Sequence, residues 1–147
     1  LANAPVNSKC AAPYIALQGF YAGDGKDEAL RNRAIGFAKK AVERSPGDAL
    51  GLLCLSALYG QAAKIDEVVK LLAPHEGLMQ RDVRIAHNYF EALFQLRDMQ
   101  RITALLNKLA TSQVREVKQF AIERSRAISQ MLQQQQEQLR GATQPKA

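Results

Sequence analysis

The chain contains no tryptophan, two cysteines and two histidines among its 147 residues, and aromatic residues make up only 6% of it. Such a short inventory of ligating and nucleophilic side chains narrows the chemistry at once. Neither His75 nor His87 stands four residues from another ligand type, and Cys10 and Cys54 are too far apart for a zinc knuckle. No metal or other cofactor is expected. Long apolar runs are also missing. The densest, Ala49 to Tyr59, falls well short of the ~20 residues needed to span a bilayer, and the chain reads as soluble. Gly23-Asp24-Gly25 is too short to cradle a phosphate and follows no strand pattern. Asp66-Glu67 reads as a helix start that favours negative charge, not as a general acid and base pair. An enzyme is not expected.

What remains is a mostly polar and aliphatic chain, 47% hydrophobic and 23% charged, in the range of one globular domain that buries a core without metal or disulfide support. Its net charge of +6 favours acidic partners or anionic polymers without identifying either. Cys10 and Cys54 allow a single intrachain disulfide. In an oxidising compartment that bond would close a loop of about 40 residues and contribute roughly 3–4 kcal/mol. The alternative is two thiols, with Cys54 a small helix-face residue. Ala2-Asn3-Ala4 has the small-x-small look of a signal-peptidase site, although Pro5 directly after it is unfavourable. A periplasmic or otherwise exported protein is expected, with a cytoplasmic one as the alternative.

Hydrophobic spacing organises the chain. Residues 1–11 carry Pro5, Asn7 and Ser8 without apolar periodicity and read as an extended arm. Residues 12–132 read as a helical-repeat domain, and residues 133–147 as a polar, glutamine-rich extension with a disordered tail. Within the domain, Pro13 to Ala22 predicts a short helix, and Asp27 caps a longer one to Arg44. A second hairpin is predicted over Ala49 to Tyr59 and Asp66 to Leu72, ended by Pro74-His75-Glu76-Gly77. A third, opened by Asp82, has helices near Val83 to Leu96 and Gln100 to Ala110, and a last helix runs from about Val114 to Leu139. Ala34, Val68 and Ile102 lie one 34-residue period apart, as do Ala38, Leu72 and Leu106. That period marks helical hairpins that stack.

These residues resemble the tetratricopeptide repeat (TPR) family over roughly residues 12–110. Tyr14, Leu17, Gln18, Tyr21, Ala34, Ala38, Ala41 and Pro46 follow the family pattern in the first unit, if a four-residue insertion is allowed between its helices. Leu52, Leu55, Ser56, Tyr59, Val68 and Leu72 follow it in the second without a gap. The third unit matches by hydrophobicity alone, through Ala86, Tyr89, Phe90, Leu93, Ile102, Leu106 and Leu109. Gln18 and Phe90 stand where the family has a small residue, and no proline follows the third unit. The resemblance implies an all-α fold, a right-handed superhelix (α-solenoid) of about three hairpins with a long C-terminal capping helix.

It also implies a concave groove lined by the first helix of each unit. The positions are Ile15, then Leu50, Leu53, Cys54 and Ala57, then Arg84, His87, Asn88, Glu91 and Phe94, with Lys118 and Ile122 on the helix behind. A groove apolar at one end and basic at the other suits an apolar helix or peptide of another protein with an acidic flank. Arg84 and Lys118 are expected to steer that flank. The family's clamp for a terminal carboxylate is absent, because Ile15, Gly19, Cys54, Arg84 and Asn88 offer one suitable cation among them. The expected function is a non-catalytic adaptor, scaffold or assembly factor, of the kind used by bacterial secretion, pilus or envelope-polysaccharide systems. A basic nucleic-acid or anionic-polymer binder and a structural homo-oligomer are the alternatives.

Overall fold

A computed structural model describes Tyr14, Ala16 and residues 27–143. The described residues are all-helical, with no strand among them. Six helices of two turns or more follow one another: α1 (Glu28–Arg44), α2 (Ala49–Gln61), α3 (Ile65–Leu72), α5 (Val83–Gln95), α6 (Met99–Leu109) and α7 (Arg115–Thr143). Between α3 and α5 the chain makes a 3-10 turn (Ala73–His75) and the single-turn helix α4 (Glu76–Met79).

Aspartates start most of these helices. Asp27 accepts a hydrogen bond from the Leu30 amide at 3.2 Å, Asp48 from Leu50 at 3.3 Å, Asp82 from Arg84 at 3.0 Å and Asp98 from Arg101 at 3.1 Å. Each satisfies an amide that the first turn leaves without an intrahelical acceptor. α3 starts differently, at Lys64, whose side chain makes no capping bond.

The 34-residue period is also visible in backbone geometry. Ala63 and Arg97, one period apart, both adopt a left-handed conformation, with φ of 57° and 56°. In each turn the same two bonds close the helix end. Lys64 N donates to Tyr59 O (2.9 Å) and Ala63 N to Gly60 O (3.1 Å); Asp98 N donates to Leu93 O (3.0 Å) and Arg97 N to Phe94 O (3.1 Å). This is a Schellman termination, which normally uses glycine at the left-handed position. A Cβ there costs about 1–2 kcal/mol.

Packing follows chain order. α1 lies on α2, α2 on α3, α3 on α5, α5 on α6 and α6 on α7, while α2 also touches α5 and α5 touches α7. One apolar core runs from Ala34 and Ala38 of α1 through Leu52, Leu72, Met79, Leu93 and Ile102 to Val117 and Ala121 of α7. Tyr14 sits beside it in a small cluster with Ala41 and Phe37.

Two elements depart from expectation. The Pro74 segment does not simply end its hairpin. Pro74 lacks an amide to continue the α-helical ladder, so the chain tightens into the 3-10 turn. It then resumes as α4, which places Met79 fully inside the core. The last helix continues past Leu139, through Gly141, to Thr143. Glutamine is a good helix former and no stop signal precedes Gly141, so propagation continues although every residue from 132 to 142 is exposed. No helix among the described residues is long and apolar enough to cross a membrane.

Candidate functional site

Helices α2 and α5 carry most of the expected groove residues, but several of these side chains are engaged by neighbours. On α2, Leu50 is 49% exposed and Ala57 is exposed. Leu53 is half-buried and packs against the core, so it is a structural residue more than an open anchor. The spacing gives no warning of this, because only the approach of neighbouring helices covers it. Cys54 is half-buried, and burial pushes its thiol above the ordinary value of 9.0, with the Asp48 carboxylate adding to the shift. Ile15 and Cys10 lie outside the described residues, and with them the Cys10–Cys54 pairing.

On α5 the polar positions are engaged with neighbours. Asn88 Nδ2 donates to Ser56 Oγ at 3.0 Å, and Ser56 Oγ donates to Leu53 O at 3.1 Å. This bridge ties α5 to α2 across a shallow furrow lined by Ala57, Gly60, Asn88 and Glu91. His87 meets the Phe120 ring edge-on, with centroids 6.0 Å apart.

Arg84, expected to steer an acidic flank, is exposed and paired within its own helix start. Its Nε and Nη2 donate to the two carboxylate oxygens of Asp82 at 3.1 and 2.9 Å. That pairing holds the Asp82 carboxyl below its ordinary value. An arginine two residues after an aspartate N-cap reaches back to it, a local geometry that pairs the charge.

Lys118 and Ile122 also leave the groove. α7 is rotated by its own apolar stripe, with Val117 and Ala121 buried and Phe120 and Ile128 packed on the core. Phe120 and Arg124 are the residues that meet α5. Arg124 lies 5.4 Å from the centroids of both the Phe90 and Phe120 rings and 4.0 Å from the Glu91 carboxylate. At 100° per residue, Lys118 and Ile122 sit about 200° round the helix from Phe120 and Arg124. They therefore face away from α5, and both are exposed.

The structure assembles instead a trough between α5 and α7. A cavity of ≈ 150 Å³ is lined by Phe90, Glu91, Phe94, Arg124, Ala127, Ile128 and Met131. A second, of ≈ 360 Å³, is lined by Phe94, Arg97, Met99, Met131, Leu132 and Gln135. Phe94 and Met131 line both, so the two cavities adjoin along α7 as the channel of the trough. Phe94 stacks on Phe90 at 5.9 Å, and Phe90 meets Phe120 edge-on at 5.7 Å, yet Phe94 remains 40% exposed. Phe94 is thus an expected groove residue that the structure places in an open apolar site. Met99, Met131 and Arg97 were not foreseen. Their sequence signal is faint, since Met131 belongs to an amphipathic stripe and Arg97 to a turn.

Among the described residues no group of three or more His, Cys, Asp or Glu side chains is placed to hold a metal ion. Compared with protein-family models, with curated proteins and with solved structures, the chain matches none, so its function is read from the geometry alone.

Proposed function

We propose that the protein is a non-catalytic protein–protein interaction module whose helical hairpins stack as a TPR-like right-handed superhelix. The exact 34-residue recurrence of caps and left-handed turns supports that stacking, as does the chain-order packing of the helices. In this reading the α2–α5–α7 side holds an apolar helix or peptide of a partner, as an adaptor or assembly factor does. The observation that carries it is Phe94, a large aromatic left 40% exposed at the centre of an apolar channel. Covering what remains exposed of such a side chain gains about 1 kcal/mol, and Ile128, Met131 and Leu132 add to the surface a partner would cover.

Affinity capture with the wild-type chain beside Phe94→Asp, read by mass spectrometry, tests this reading. Partner proteins retained by the wild type and lost by the variant, with helical content unchanged by circular dichroism, are the expected result. The same proteins retained by both would refute it. Phe94→Asp should weaken a captured partner about 100-fold, since it removes an apolar contact and buries a charge. Leu53 is unsuited to this test, because its replacement would report core stability.

A further inference from the structure

We infer that the occupant of the α5–α7 trough is an amphipathic helix carrying acidic residues, which meet Arg97 at the wider end of the channel. This rests on the reading of the trough as a partner site and adds the partner's chemistry. The channel runs along α7 from Arg124 to Gln135, about 17 Å at 1.5 Å per residue, or three turns of a docked helix. Its walls are apolar and adaptable. Of the chain's three methionines, Met79 is fixed in the core, while Met99 and Met131 both line the channel. Flexible thioethers mould themselves to a neighbouring helix better than branched side chains do.

Its two cations differ in their engagement. Arg124 is matched by Glu91 and lies over two rings. Arg97 is exposed, lines the wider cavity, and makes no ion pair among the described residues. Nor does the turn call for an arginine. The equivalent turn one period earlier holds Ala63 in the same left-handed conformation, and that conformation favours glycine. An uncompensated guanidinium is therefore held on a fixed turn beside Phe94 and Met99, where an incoming carboxylate finds both a charge and an apolar seat.

A second copy of the chain is a poorer occupant. The net charge of +6 repels it. The projecting segment of α7 after Leu132 offers one acid, Glu137, one base, Arg140, and a single large apolar side chain, Leu139. That is too little to reach the roughly 1,200 Å² a stable dimer buries.

The test is a selection from a random library of peptides of ~16 residues, about four helical turns, displayed on phage against the full chain. Recovered peptides are then synthesised and titrated by fluorescence anisotropy. The expected consensus has Leu, Met or Phe at helical spacing together with Asp or Glu. Arg97→Glu should weaken such peptides at least about tenfold, or ~1.4 kcal/mol, and favour variants with Lys in place of the acids. Phe94→Asp should abolish binding of both kinds. A neutral or basic consensus that still depends on Phe94 would overturn the acidic inference and leave the partner-site reading standing. Peptides indifferent to Phe94→Asp, or no enrichment at all, would overturn both. Mass that rises with concentration and falls with Phe94→Asp would replace the partner by a second copy, and displacement of the peptides by single-stranded oligo-dT would replace it by an anionic polymer.

Discussion

Removing one hydroxyl, in Ser112→Ala, should destabilise the wall of the trough more than any comparable surface change. Ser112 is 8% exposed. Its Oγ donates to Gln80 O at 2.6 Å and accepts from Val114 N at 3.0 Å. It therefore braces the turn that leads into α7 and at the same time fastens it to the turn before α5. Gln80 supports the junction from its side, with Nε2 donating to Lys108 O at 2.9 Å. Losing the bond to the Val114 amide costs about 1 kcal/mol, and leaving the Gln80 carbonyl without its donor costs about another 1 kcal/mol. A total near 2 kcal/mol should lower the melting temperature of a chain this long by about 6–8 °C and the urea midpoint by about 1 M. Thermal and urea unfolding followed by circular dichroism measure both. The control is Thr111→Ala next door. Thr111 Oγ1 donates to Lys108 O from an exposed site, and its loss should stay within about 0.5 kcal/mol. Equal effects at the two positions, or a Ser112→Ala midpoint unchanged from wild type, would show that Ser112 does not join the two turns energetically.

The remaining predictions follow from single features. Ala63→Gly should stabilise the chain by about 0.5–1 kcal/mol by relieving a left-handed Cβ; a lower urea midpoint would contradict the turn geometry. The Asp82 carboxyl is depressed chiefly by its hydrogen bond from Arg84. Its contribution to stability is therefore present above the ordinary value of 3.8 and is lost as pH falls through the lower folded-state value. Urea midpoints measured from pH 6 to 2 should fall less steeply for Asp82→Asn over that acid range, and an unchanged acid limb would show that the pairing carries no stability. Phe94→Asp should abolish partner retention with helical content intact, as set out above. Arg97→Glu should reverse the charge preference of bound peptides without changing the melting temperature by more than ~2 °C.

The helices are legible in the chain alone, because their signals are local. Aspartates at 27, 48, 82 and 98 precede apolar runs and cap them. The 34-residue spacing of Ala34, Val68 and Ile102 marks three positions that are all buried in one core. Packing settles which side chains stay open once helices meet. Leu53 is covered by its neighbours, Arg84 is drawn back to Asp82, and α7 turns Lys118 and Ile122 outward while presenting Phe120, Arg124 and Met131 to α5. Helix formation depends on bonds four residues apart, which a linear pattern records. The rotation of one helix against another depends on contacts between residues some thirty positions apart, such as Phe90 with Phe120, and only the packed chain fixes it.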